Sequence, residues 1–183
     1  MARRNDPEGM RRRIVEAAFR LFATRGYHAT SMHEVREAAG VSGGALAHHF
    51  ASKAALGEAV VVEALRAALE DAWLSPVRAA GSAPEGIDAA FRAIIEGIDA
   101  RGVVIGCPVN NLALELSAVD ERLRRPLDAL FADWERTLAA SFRADLAAGR
   151  VRGIEPDAEA ARVVVAYSGA MARAKTSQSA APL

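Results

Sequence analysis

The residues whose types and spacing suit chemistry lie mostly near the start of the chain. Lys53 follows Ser52 at the expected start of a helix, and a cation beside the free amides of a helix start can hold a phosphate. Thr30 and Ser31 open another helix; their hydroxyls and amides either face a phosphodiester backbone or simply cap the helix. Ser42 opens a third, with Gly43, Gly44 and Ala45 behind it. Gly44 and Ala45 are small enough for close approach to base edges, and the Ala45 methyl suits a thymine methyl, although helix packing alone also uses such residues. His48 and His49 are consecutive and point about 100° apart on a helix, so one can face DNA while the other packs. Adjacent histidines chelate poorly from a helix and no Cys or carboxylate is spaced to help, so no metal and no cofactor is expected. Arg3, Arg4 and Arg11 to Arg13 form either a minor-groove arm or a solvated tail.

The charge distribution agrees with that grouping. Residues 1–55 carry nine Lys/Arg against five Asp/Glu and all four histidines, while the remainder carries fourteen against eighteen. A basic head on an acidic body suggests that the head meets a polyanion while the body does something else.

The elements that must position these groups are helices. Ile14, Ala18, Leu21 and Phe22 share one face of a first helix that ends at Gly26. Ser31 and Glu34 have the spacing of a capping box, which starts a second. Gly40-Val41-Ser42 breaks the pattern, and a short third helix runs to Phe50. Ser52 opens a long fourth helix lined by Leu56, Val60, Leu65, Leu69 and Trp73, which Ser75-Pro76 is expected to stop. Residues 75–86 read as a connection rich in Gly, Pro, Ser and Ala. Further helical patterns follow from Ile87 to Gly102, from Val109 to Leu116, from Asp120 to Ala148 with Pro126 marking a start or a kink, and from Asp157 to Lys175.

The chain has 183 residues, of which 51% are hydrophobic, 25% charged and only 5% aromatic, and 42 are alanine. That composition favours a helical globular protein over a β-sandwich or barrel. One cysteine excludes a disulfide framework and any multi-thiolate metal site. No apolar run approaches the length of a membrane span, and no apolar stretch follows the basic residues at Met1–Asp6, so a cytoplasmic protein without a secretory leader or membrane contact is expected. Gly-rich phosphate loops, G-x-S-x-G and H-E-x-x-H are missing from the sequence, so an enzyme is not expected. The expected fold class is all-α. An N-terminal unit of three short helices (1–55, with an arm at 1–10) is joined by a long helix to a C-terminal helical bundle (56–183).

Two short helices joined by a Gly-containing turn form a helix-turn-helix unit, whose second helix enters the major groove. The run Ile14, Ala17-Ala18, Leu21-Phe22, Gly26-Tyr27, Thr30-Ser31, then Ala39-Gly40-Val41-Ser42, Gly44-Ala45-Leu46, His48-His49-Phe50, Ser52-Lys53 and Leu56 resembles the TetR family of bacterial transcriptional regulators through about the first sixty residues. The segment from Gly106 to Leu116 resembles one variety of that family's C-terminal domain. The resemblance implies an N-terminal helix-turn-helix DNA-binding domain (1–55) and a C-terminal helical domain (56–183) for ligand binding and dimerisation, in a homodimer that binds a near-palindromic double-stranded operator and releases it when a small-molecule effector binds. The family usually has an aromatic residue where Ala47 stands, a small one at Arg36, and Lys, Thr or Pro at Gly43. The recognition helix is therefore bare, with Ser42, His48 and His49 as its main polar groups. A helical ligand-binding or interaction module with weak or lost DNA binding is the alternative reading.

In the body, Phe91, Ile95, Ile98, Cys107, Asn110, Leu114, Phe131, Trp134 and Tyr167 are candidates to line an effector cavity, although such a stripe also makes an ordinary core. Asn110 and Asn111 stand out because a buried amide demands a partner.

Overall fold

The computed structural model describes residues 6–118 and 120–183, so Arg3 and Arg4 of the expected arm lie outside the described residues. All regular structure described is helical. The elements are α1 (Pro7–Arg25), α2 (Met32–Ala39), α3 (Gly43–His49), α4 (53–79), α5 (Ala83–Arg101), α6 (Pro108–Leu116), α7 (Glu121–Ala147) and α8 (Pro156–Ser177). The chain forms two compact units. One takes in the chain up to Arg66 together with Asn111–Leu127, and the other takes in Ala67–Asn110 and Asp128–Leu183. This differs from the division at residue 55, because a stretch assigned to the C-terminal domain belongs to the N-terminal unit.

In the first unit, Asp6 caps α1 by accepting the Gly9 N–H at 2.9 Å. The helix thus starts at Pro7, inside the expected arm. Ile14, Val15, Ala17, Ala18 and Phe22 are buried, and α1 packs on α2 and on the 60–65 turn of α4. The Ser31–Glu34 capping box is formed: Glu34 accepts from the Ser31 N–H at 2.8 Å, and the Ser31 hydroxyl accepts from the Glu34 N–H at 3.2 Å. Gly40 closes α2 in the left-handed region at φ 64°, where a β-carbon is disfavoured. Leu112, Leu116, Leu123 and Leu127 add buried side chains from the later segment.

Helix α4 corrects the expectation that Ser75-Pro76 ends it. It continues to Ala79 through π-helical turns at Val60–Leu65 and Glu70–Leu74. Proline in an ordinary helix collides with the carbonyl four residues back. Here the wider turn directly ahead, closed by the Ser75 N–H bonding to the Glu70 carbonyl five residues back, relieves that crowding. The buried positions of α4 explain the wide turns. Leu56, Val60, Leu65, Leu69, Trp73 and Val77 recur every four or five residues, more than the 3.6 of an α-helix, and π-turns keep such a stripe on one side. The expected 75–86 connection shrinks to residues 80–82.

In the second unit, the last turns of α4 pack on α5. The buried Asp145 carboxylate accepts the Ala83 N–H at 2.7 Å at the start of α5 and pairs with Arg150. Gln178, just past α8, bonds both the N–H and the carbonyl of Val104 through its side-chain amide, at 3.2 Å each.

Candidate nucleic-acid interface

The second helix of the helix-turn-helix is held by few contacts. Ser42 caps α3 by accepting the Ala45 N–H at 3.1 Å, and Leu46 and Phe50 are its buried anchors. Gly43, Gly44, Ala47 and His48 are exposed, and Ala45 and His49 are half-buried, with the His49 ring lying against His48 and Phe50. A β-carbon built on Gly43 or Gly44 would meet nothing within 4 Å. Packing therefore does not demand glycine at either site, and glycine in a helix costs up to about 1 kcal/mol relative to alanine. The chain keeps a bare face that its own interior does not use.

Several expected contact residues are engaged within the protein. Thr30 is buried, and its hydroxyl donates to the Gly26 carbonyl at 2.8 Å, which serves the turn. Ser31 is the cap already described. Arg36 is half-buried, 3.5 Å from Glu37. Arg11, read as part of an arm, instead makes a two-pronged pair with Glu63 at 2.6 Å to each oxygen and stacks over Phe50 at 5.3 Å.

Lys53 and the α1–α2 turn form one assembly within the first unit. The Lys53 ammonium sits 4.3 Å from the centre of the Tyr27 ring and donates to the His28 carbonyl at 3.4 Å. Burial pulls its pKa down, while the charges of Glu115 and Glu34 push it back up. Glu115 of α6 grips the same turn, accepting the Tyr27 N–H at 2.8 Å and the His28 N–H at 2.6 Å. Gly26, at φ 93°, leaves room for it: a β-carbon there would stand 3.1 Å from a Glu115 oxygen. Sequence reasoning missed Glu115, because its partners lie 87 and 88 positions away and are backbone amides, which have no side-chain signature.

The second unit gathers most of the candidate cavity residues. Trp73, which sequence reasoning placed only on a helix face, packs at a tilt against Trp134 (4.9 Å between ring centres) and edge-to-face against Tyr167 (4.8 Å) and Phe91 (5.5 Å). Phe131 stacks on Trp134 at 6.4 Å. Trp73, Trp134, Tyr167, Ile98 and Cys107 are buried, while Phe91, Ile95, Asn110 and Phe131 are half-buried. Leu114 does not join them: it belongs to the first unit and its side chain is 79% exposed. Cys107 heads α6 with its sulfur facing the Val109 and Asn110 amides and the Tyr167 hydroxyl; burial outweighs these contacts and pushes the thiol up, away from the reactive thiolate.

A short, bare helix presented by a capped helix-turn-helix, with a lysine at the head of the next helix, defines a DNA-binding regulator. Known proteins agree. The family description "Bacterial regulatory proteins, tetR family" matches residues 14–60, and "Transcriptional regulator LmrA/YxaF-like, C-terminal domain" matches residues 83–183. The HTH-type transcriptional repressor DhaR of Mycobacterium sp. (strain GP1) is 30% identical over 182 residues, covering 95% of this chain and 86% of that protein. The HTH-type transcriptional repressor KstR2 of Rhodococcus jostii is 43% identical over 63 residues, 34% of this chain and 29% of that one. The crystal structure of regulatory protein TetR from Rhodobacter sphaeroides superposes with a TM-score of 0.84 at 28% identity, over 93% of this chain and 91% of that one. The chain belongs to the TetR family of bacterial transcriptional regulators. No helix among the described residues is long and apolar enough to cross a membrane.

Proposed function

We propose that the chain is a cytoplasmic, homodimeric repressor that holds a near-palindromic operator and releases it when a small molecule occupies the second unit. The observation that carries the DNA-contact assignment is the open space around Gly43 and Gly44. A helix that forgoes stability without an internal reason keeps that surface for something outside it, and close approach to base edges and phosphates is the use a helix-turn-helix makes of it. Ser42, Gly43, Gly44, Ala45, Ala47, His48 and His49 form the reading surface, with Lys53 and the backbone at Thr30 and Ser31 on phosphates and Arg36 beside them. Effector release requires that the ligand bind the non-DNA-fitting conformation more tightly, and DNA then weakens ligand binding by the same factor.

Gly44→Ala is the direct test. The variant should be more stable by about 0.5–1 kcal/mol in denaturant unfolding and yet bind promoter DNA more weakly. Equal or tighter DNA binding by the stabilised variant would remove α3 from the groove. Lys53→Ala should weaken specific and random DNA about equally and flatten the salt dependence of binding by about one unit, read by fluorescence anisotropy.

Dimerisation is assigned to α7 and α8. Val165 on α8 is 69% exposed, and the neighbouring Ala161, Gly169 and Ala172 are small enough for close helix contact. A pair of reading heads roughly 34 Å apart fits two half-sites one DNA turn apart. Val165→Arg should sediment as a monomer at micromolar concentration and lose operator binding; a persistent dimer would move the interface elsewhere.

A further inference from the structure

The lysine assigned to a phosphate is seated within the protein before any DNA arrives. Its partners are the face of the Tyr27 ring, 4.3 Å from the ammonium, and the His28 carbonyl at 3.4 Å, neither of them charged. Arg11 shows the contrast, since its two-pronged pair with Glu63 offsets its charge and occupies its donors. A ring face holds a cation through its quadrupole, so the charge stays available and the N–H groups are not used up. Burial, together with the charges of Asp120 and Glu115, pushes the Tyr27 pKa up, so the ring is that of a neutral phenol.

The chain makes room for that ring. Tyr27 is buried, with the Phe22 ring edge-to-face at 5.1 Å. Gly57 lies one turn after Lys53 on the same side of α4, and a β-carbon there would stand 2.9 Å from the Tyr27 Cε2 and 3.5 Å from the Leu123 Cδ2. Glycine inside a helix is less stable than alanine. Unlike Gly43 and Gly44, this one answers to the interior. The cation is also particular, because only two of the 23 Lys/Arg residues, Lys53 and Lys175, are lysines. A compact ammonium aims its three donors in different directions, which suits a group set over a ring, beside a carbonyl and ready for a third partner; the flat fork of arginine does not.

We propose that Tyr27 is a positioning residue for DNA binding: its ring, seated against Gly57, holds the Lys53 ammonium within reach of a backbone phosphate and stays beneath it in the complex. The proposal rests on the DNA-binding reading above and adds the residue that places its phosphate contact.

The test is a double-mutant cycle on the full-length protein with promoter DNA, read by fluorescence anisotropy. Tyr27→Leu should weaken binding about fivefold, and Tyr27→Phe, which keeps the ring face, by less than about twofold. In the Lys53→Ala background, Tyr27→Leu should add less than about twofold, because the group it acts through is gone. A merely structural tyrosine would instead give the same loss in both backgrounds, and that result would overturn the proposal. An unchanged affinity in Lys53→Ala alone would strike the phosphate assignment itself, and this proposal with it. The wild-type chain gives a second readout that needs no variant of Tyr27 to fold. With lysine carbon-13 labelled, only Lys53 and Lys175 give signals, and Lys53→Ala identifies which is which. The Lys53 ε-methylene protons should lie upfield of those of Lys175, shielded by the ring, both in the free protein and with promoter DNA bound. No displacement in the free protein, or its loss on DNA binding, would show that the lysine does not act from the ring.

Discussion

Glu115→Ala is expected to loosen the α1–α2 turn, destabilising the first unit by about 2 kcal/mol and lowering DNA affinity with it. The carboxylate accepts two backbone N–H groups at 2.8 and 2.6 Å, and hydrogen bonds to a charged acceptor are worth roughly 1.5–3 kcal/mol each when shielded, less where water competes as it does at His28. The same carboxylate supports the charged form of Lys53 on the other side of the turn. Its loss therefore disturbs the position and charge of the group assigned to phosphate. Hydrogen exchange gives the check, with the Tyr27 and His28 amides exchanging at least about tenfold faster in the variant. Glu115→Gln, which keeps an acceptor oxygen but loses the charge, should fall between the two. Unchanged exchange at both amides would show that the contact does not hold the turn.

The largest loss of stability is expected from Trp134→Ala. Trp134 is fully buried against the rings of Trp73, Tyr167 and Phe131, and removing such a side chain costs about 3–5 kcal/mol through lost transfer energy and the cavity left behind. Leu114→Ala is the matched control. Both residues came from the sequence as candidates for one cavity, but Leu114 stands in solvent and its truncation should change stability by less than about 0.5 kcal/mol. Denaturant unfolding at one fixed protein concentration separates them, since dimerisation makes apparent stability concentration-dependent. Comparable losses at the two positions would mean that the leucine is covered in the folded protein.

The two residues show where the sequence was readable and where it was not. Local signals held: Ser31 with Glu34, Gly40, Ser42 and Ser52 act within three or four residues of themselves, and each cap forms as its spacing implied. Helical spacing also found the inward faces of α1 and of the later helices. On α6, whose apolar residues crowd every side, spacing could not tell the outward Leu114 from the buried Leu112 and Leu116. Pro76 misled because proline's usual effect presumes an α-helical turn before it, and the turn there is wider. The four-or-five-residue recurrence from Leu56 to Trp73 was already the mark of that width. The grip of Glu115 on the α1–α2 turn had no sequence mark, since one partner is a carboxylate common on any surface and the other is bare backbone. For Thr30, the type was right for a phosphate contact, yet the hydroxyl is turned inward to Gly26.

The wide turns of α4 also constrain how this chain can change in length over evolution. Each residue added to or removed from a helix swings everything beyond it by about 100°. A single deletion within Val60–Leu65 that restored ordinary winding would carry Leu69, Trp73 and Val77 around the helix together, turning a tryptophan outward and a charged neighbour inward. Substitutions along α4 can be absorbed one side chain at a time, whereas a change in residue count there must be matched by a second, compensating change in the same helix. Lineages of this protein should accordingly keep the number of residues between Leu56 and Val77 constant while insertions and deletions collect in segments such as 149–155, where the chain is exposed and its winding sets no one else's direction.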